Sequence, residues 1–211
     1  MEHHFWLDKW DKKQIGFHRD SVHPMLEGHI SSFNLLKGST IFLPLCGKTL
    51  DIPWLVFQGF HVVGCELAEV AVVELFQEME VIPTITKVGG HKKYSTTGID
   101  IFCGDLFLLT EKMIGHIDLI YDRASMVALP KEMRNEYTKL LPTLSKTSPI
   151  LLITFDYPQE LMNGPPFSIS PEEIKEHYKG TYGISLLEKK ETSGKLRDIS
   201  GAYECAWKLK S

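Results

Sequence analysis

Apolar and polar positions follow two rhythms along this chain. Runs that are apolar almost throughout occur at 40–45, 60–65, 99–103, 117–122 and 149–155. Between them, apolar residues recur at helical spacing. Ala68, Val72, Leu75, Phe76 and Met79 form one such face, and Met133, Tyr137, Leu140, Leu141 and Leu144 form another. Continuous apolarity suits a strand covered on both sides, and strands alternating with helices predict a parallel α/β sheet. Pro142 is expected to bend or end the second helix, because it lacks the N–H that a helical turn needs.

The two ends of the chain differ from this middle. Trp6, Trp10 and Phe17 stand among charges, with His3, His4, His18 and His23 nearby, and Leu26, Ile30 and Phe33 recur at helical spacing before Gly38. This predicts an irregular arm and then a helix over about residues 21–37, the whole of 1–38 forming a cover for the rest. Later, Gly164-Pro165-Pro166-Phe167 reads as a stiff loop. Ser170-Pro171-Glu172-Glu173 predicts a helix start, with Ser170 as cap, Pro171 at the first helical position and Glu173 closing a capping box. Runs at about 183–189 and 202–209 predict an antiparallel hairpin at the sheet edge. Five parallel strands and this hairpin make a seven-stranded mixed sheet, in a single domain spanning 1–211.

At 211 residues the chain can bury one large core. A formal net charge of -4 lacks the basic footprint of a nucleic-acid partner. No apolar run reaches membrane-spanning length, and residues 1–8 lack the basic-then-apolar order of a secretory signal. Cys46, Cys65, Cys103 and Cys205 include no CxxC pair, so buried reduced thiols in a cytoplasmic protein are expected, with no metal site. No long apolar stripe demands a dimer, so a monomer is expected.

The chemistry concentrates in Ile41-Phe42-Leu43-Pro44-Leu45-Cys46-Gly47-Lys48-Thr49-Leu50-Asp51 and Val62-Val63-Gly64-Cys65-Glu66. These read as strand, tight turn, helix, then a second strand ending in a carboxylate. Gly47 and Glu66 lie close to the roughly 20-residue spacing at which a doubly wound fold sets an acid on a ribose. Lys48-Thr49 after Gly47 invites a P-loop reading, but Phe42 stands where that loop needs a glycine. A dinucleotide turn needs three glycines near the pyrophosphate, and this turn has one. S-adenosylmethionine has no phosphates, and its needs match better. Leu45 and Gly47 suit the turn, and Glu66 can accept from vicinal ribose hydroxyls. In Phe102-Cys103-Gly104-Asp105-Leu106-Phe107, Asp105 could accept from the adenine amino group while Leu106 or Phe107 covers the ring. Asp105 could equally cap the next helix, and Glu66 could be a solvated strand end. Arg123, in Tyr121-Asp122-Arg123-Ala124, would point over the pocket or pair with Asp122 or another acid. The residues alone lead to an α/β enzyme of a nucleoside-type cofactor.

Six segments carry a resemblance further. They are Trp6-x-x-x-Trp10, Ile15-Gly16-Phe17-His18, Phe42-Leu43-Pro44-Leu45-Cys46-Gly47-Lys48, Val62-Val63-Gly64-Cys65-Glu66, Tyr121-Asp122-Arg123-Ala124 and Gly164-Pro165-Pro166-Phe167. In this order the chain resembles the thiopurine S-methyltransferase family, its bacterial branch in particular. The resemblance implies a Rossmann-like class I methyltransferase fold with three αβα layers. It implies S-adenosyl-L-methionine as donor, S-adenosyl-L-homocysteine as product and a small aromatic or heterocyclic thiol as acceptor. By the same resemblance, Trp10 closes over the cofactor, Leu45 forms the turn contact beside Gly47, Glu66 binds ribose, and Asp105 with Leu106 forms the adenine edge. Arg123 lies near cofactor and acceptor, and Phe17 beside the aromatic acceptor. The segment Gly194-Lys195-Leu196-Arg197-Asp198 aligns poorly, and Arg197 is its candidate acceptor contact.

Arginine is a poor base, so Arg123 is assigned to stabilising negative charge on the acceptor rather than to removing a proton. His18 and Asp122 are weaker proton-path candidates, with packing the simpler role for His18. Selenium or tellurium species, or another small thiol, are alternative acceptors. A non-catalytic regulator that binds the cofactor is the alternative outside catalysis.

Overall fold

The structure, a computed structural model, describes residues 3–192, 196 and 199–211. Helices α1 (His3–Asp11) and α2 (Pro24–His29) precede β1 (Thr40–Leu43), α3 (Asp51–Phe57), β2 (His61–Glu66) and α4 (Glu69–Glu78). Then come β3 (Thr84–Val88), β4 (His91–Thr96), β5 (Ile99–Cys103), α5 (Glu111–Ile114), β6 (Leu119–Asp122) and α6 (Lys131–Ser145). The chain ends with β7 (Ile150–Asp156), α7 (Pro171–Tyr178), β8 (Gly183–Glu191) and β9 (Tyr203–Lys210).

These nine strands form one sheet in the order β3-β4-β5-β2-β1-β6-β7-β9-β8. The central five run parallel, as the apolar runs predict, and β9 and β8 close one side antiparallel. The sheet is thus larger than the seven strands expected. The two additional strands, β3 and β4, form an antiparallel hairpin on the other edge. Pattern reading passes over them because β3 is exposed almost throughout and β4 buries mainly His91 and Tyr94, so neither carries an apolar run. Val88 pairs with His91 across Gly89-Gly90, a two-residue glycine loop suited to a hairpin.

Side chains alternate across the sheet. Phe42, Val63, Phe102 and Ile120 join one core with Tyr137, Leu141, Ile174 and Tyr178 of α6 and α7. Ile41, Leu43, Val62 and Ile101 join the other with Leu26, Ile52, Leu55, Val72 and Leu75 of α2, α3 and α4. The period of two along each strand thereby makes three layers.

Four local expectations are corrected. The helix over 21–37 is shorter: α2 begins at Pro24, with the His23 side chain accepting the Met25 N–H at 3.3 Å. A 3-10 turn, Ile30–Phe33, follows and ends at left-handed Asn34 (φ 54°). Ser31, Ser32 and Phe33 are indifferent helix formers, and the left-handed Asn34 ends the turn. The arm before it is not irregular, since it contains α1. Helix α6 neither stops at Pro142 nor needs to, because it runs on to Ser145 and the Lys146 N–H bonds the Pro142 carbonyl. Ser170 does cap α7, accepting from Glu173 N at 3.2 Å, but the Glu173 carboxylate does not return the bond. It accepts Arg134 Nε at 2.7 Å instead, because a guanidinium is the stronger donor.

Candidate active site

The order in which the parallel strands are laid down reverses at β1. Strands β2 and β5 lie on one side of it, β6 and β7 on the other, so a crevice opens beyond the strand C-termini. The residues singled out in the sequence gather there. After β1 the backbone turns through Leu45 (φ 47°) and Gly47 (φ 54°), both left-handed. The Cys46 N–H bonds the Cys65 carbonyl at 2.9 Å, which holds this turn against the end of β2.

Glu66 closes β2 and is 5% exposed. One carboxylate oxygen accepts Gly47 N–H at 2.8 Å and the other Ala68 N–H at 2.8 Å. Burial raises its carboxyl above the ordinary range, and these backbone donors offset only part of that rise. Glu66 is therefore not a solvated strand end. A carboxylate offers about four lone-pair sites, so two remain for a diol.

Asp105 follows β5. Its Oδ1 accepts Phe107 N–H at 2.9 Å, the capping role considered for it, while Oδ2 lies 3.4 Å from His3 Nε2 of α1. Leu106 is buried in the core, leaving Phe107 as the more accessible ring of this loop.

Beyond β6, the two halves of Asp122-Arg123 face different ways. Asp122 is fully buried, accepting Tyr137 O–H at 2.7 Å and Met126 N–H at 3.1 Å. Burial pushes its carboxyl up to about 6. Arg123 instead donates from Nη2 to the Phe17 carbonyl at 2.8 Å, so it ties down the arm rather than pairing with Asp122. Ala124 sits at φ 60°, and Ser125 Oγ donates to the Pro44 carbonyl at 2.5 Å, joining this loop to the β1 turn.

The arm covers the crevice. Trp10 is 5% exposed and clusters with Ala68 and Ala71, with Leu7, Ile15 and Phe17 against it. A Cβ at position 47 would come within 3.0 Å of the Trp10 ring, so glycine lets the indole lie on the turn. Phe17 packs edge-on to Trp6 at 5.8 Å and to Trp10 at 5.5 Å. His18 is lowered by burial and by the charge on Lys48, which favours its neutral form. Lys48 itself turns toward α4, 2.9 Å from Glu74 and 2.5 Å from Glu78, and is held there instead of facing a phosphate. Arg197 lies outside the described residues.

Sequence reading missed a buried group beneath the arm. Asp51 accepts His23 N–H at 2.8 Å and Tyr121 O–H at 3.1 Å. His23, fully buried, uses Nδ1 as cap acceptor and places Nε2 3.0 Å from Glu204 of β9. Burial raises the Glu204 carboxyl, but His23, Arg123 and Arg19 outweigh it and hold the group below its ordinary value. His23-Pro24 ahead of an apolar helix was the available signal, since it marks a cap and a first-position proline.

The arrangement is a pocket edge with one buried carboxylate, a second carboxylate beside it, an aromatic cover and a guanidinium opposite. It suits a nucleoside that carries positive charge and no phosphate. Among the described residues no group of side chains could hold a metal ion.

The model of the family described as "Thiopurine S-methyltransferase (TPMT)" matches residues 1–204. A thiopurine S-methyltransferase of Xanthobacter autotrophicus is 43% identical over 210 residues, covering 99% of each chain. That of Teredinibacter turnerae is 44% identical over 209 residues, covering 99% of this chain and 97% of its own. Among solved structures, the Synechocystis magnesium protoporphyrin IX methyltransferase with bound SAH has a TM-score of 0.64 at 17% identity, each chain fully covered. The Burkholderia thailandensis 1,6-didemethyltoxoflavin-N1-methyltransferase has a TM-score of 0.64 at 11% identity, over 99% of this chain and 87% of that one. At these identities the two structures bear on the fold, and the fold is the same.

Proposed function

The chain belongs to the thiopurine S-methyltransferase family, and from that premise we propose that it transfers a methyl group from S-adenosylmethionine to the sulfur of a thiopurine-like aromatic or heterocyclic thiol. When bound, the cofactor supplies a methyl group already activated by a sulfonium charge. The residues present fit it. The observation that carries the reading is the meeting of the Leu45–Gly47 turn, Glu66, Asp105 and Arg123 at the C-terminal ends of four neighbouring strands, beneath Trp10 and Phe17.

In this reading Glu66 holds the ribose hydroxyls while its backbone bonds keep the carboxylate from rotating. The Leu45 and Gly47 backbone approaches the methionine part. Asp105 and the Leu106 backbone read the adenine edge, and Trp10 excludes water from above. Phe17 lies against the acceptor ring. Arg123 faces the acceptor from β6 and stabilises its developing or existing thiolate charge, and Arg197 is a further acceptor contact. No strong base is required, because an aromatic thiol is acidic enough to ionise to solvent. The enzyme's task is then alignment at attack distance under a water-excluding cover.

We also propose a monomer in a reducing cytoplasm, without a nucleic-acid partner. All four cysteines are free and buried, the chain's own arm completes the site, and the net charge is -4. Among the described residues no helix is long and apolar enough to cross a membrane.

The test is transfer of labelled methyl from S-adenosylmethionine to 6-mercaptopurine by wild type and Glu66→Ala. Labelled product that falls steeply in the variant supports both activity and ribose site. Cofactor binding without transfer to any thiol would favour the regulator instead.

A further inference from the structure

The β3–β4 hairpin is an edge addition to the sheet, and the roles above do not use it. It touches two loops of the cofactor end at once. On one side the Tyr94 hydroxyl donates to Glu69, and Lys92 Nζ lies 2.7 and 2.8 Å from the two Glu69 oxygens. Glu69 opens α4, directly after the Glu66–Ala68 loop.

On the other side, His91 Nε2 lies 2.9 Å from the Asp105 carbonyl oxygen. A carbonyl only accepts, so Nε2 is the donor of this bond, and in the neutral ring Nδ1 is then a bare acceptor. That Nδ1 is buried and has no hydrogen-bond partner among the described residues. The His91 ring is 2% exposed and stands edge-on to Phe102 at 6.2 Å. It also presses on Gly104, where a Cβ would come within 2.5 Å of its Cδ2. A phenyl ring would fill this space without leaving a polar atom unpaired. An imidazole with an orphaned nitrogen is the costlier occupant. Its distinguishing asset is the Nε2 bond, which adds a side-chain hold on the Asp105 carbonyl to the local Leu108 N–H bond at 3.0 Å, while Phe107 N–H fixes the Asp105 carboxylate.

We propose that the β3–β4 hairpin braces the nucleoside half of the cofactor site, with His91 as the positioning residue that keeps Asp105 aimed at the adenine edge. The inference rests on the reading of Asp105 proposed above. His91 touches neither cofactor nor acceptor. It acts through the Asp105 backbone, as Tyr94 and Lys92 act through Glu69 on the ribose loop.

Calorimetry on the full chain tests this with two ligands, S-adenosylhomocysteine and S-inosylhomocysteine, which replaces the adenine amino group by a carbonyl. Wild type should prefer the first, because it offers Asp105 the exocyclic N–H donor where the second turns a carbonyl oxygen toward the carboxylate. His91→Phe should weaken S-adenosylhomocysteine roughly tenfold, the scale of one lost hydrogen bond. It should weaken S-inosylhomocysteine less than about twofold, so that the preference collapses. His91→Gln, which returns an amide N–H near the Nε2 position, should restore most of the preference. The KM for 6-mercaptopurine should not change in either variant. His91→Met serves as the apolar variant if the phenyl ring prevents folding.

Unchanged affinity in the apolar variant overturns the brace and leaves the proposed function standing. Equal weakening of both ligands, without recovery in His91→Gln, overturns it too, since that marks packing alone. Wild-type protein that binds neither ligand would overturn the S-adenosylmethionine reading, and the brace with it.

Discussion

Asp122 offers a quantitative test of the loop that presents Arg123. It is fully buried, and its carboxyl sits at about 6 against an ordinary 3.8, because burial outweighs the donors Tyr137 and Met126. The raised value means that the folded state holds a proton that the unfolded chain has already lost between those two pH values. Stability should therefore fall as pH rises from about 4 to about 6, and the loss is complete above the folded value. The two values differ by roughly two units, so the integrated loss is on the order of 3 kcal/mol, with a slope near pH 5 of about 1 kcal/mol per pH unit. Asp122→Asn removes the titration and keeps both contacts: its oxygen can still accept Met126 N–H, and its amide can donate to the Tyr137 oxygen.

Other carboxylates also titrate in this range, so the quantity to follow is the difference between variant and wild type. Thermal unfolding of both proteins from pH 4 to pH 7.5 should show the gap in melting temperature moving by about 6–12 °C in favour of Asn as pH rises, given 2–4 °C per kcal/mol at this chain length. A gap that stays constant with pH would refute the raised carboxyl. A gap moving the other way would mean that the two hydrogen bonds outweigh burial, so that Asp122 is ionised and stabilising.

Glu66→Gln turns one accepting oxygen into a donor facing a backbone N–H, of Gly47 or of Ala68; S-adenosylhomocysteine binding by calorimetry should weaken about 10- to 100-fold, and wild-type affinity would exclude the ribose role. Arg123→Lys loses the planar fork and its tie to the Phe17 carbonyl; kcat/KM for 6-mercaptopurine should fall at least about tenfold, and a retained rate and pH profile would rule out charge placement by the guanidinium. Saturating cofactor should slow amide hydrogen exchange across α1 and the segment to Phe17, and unchanged exchange would remove the lid role of the arm. Trp10→Ala takes the indole off the Gly47 turn; exchange in the 44–47 turn should rise, and its absence would show that the turn holds itself.

Much of this protein is legible in one dimension because its signals are local or periodic. The five parallel strands announce themselves as apolar runs, since both faces of each strand are largely buried and polar positions such as Asp100 are few. Glu66 is found because one βα unit brings a strand end back to the preceding turn at a nearly fixed sequence separation. The glycine-poor turn at Gly47 argues against phosphate by composition alone, and the fold places Lys48 on Glu74 and Glu78 in agreement.

Tertiary structure decided what depends on partners far apart in sequence. The β3–β4 hairpin lies on an edge, where one face and one side meet solvent and the pattern thins. Asp122 and Arg123 are adjacent in sequence, yet one turns to Tyr137 in the core and the other to the arm, and only the packed layers choose between those directions. His23 joins Asp51, 28 residues away, and Glu204, 181 residues away. His91 reaches Asp105 only because β4 pairs with β5. Periodicity reports which way a side chain faces within its own element. Which buried donor meets which acceptor is settled when the elements close on one another, because a buried polar group must find a partner that sequence distance does not reveal.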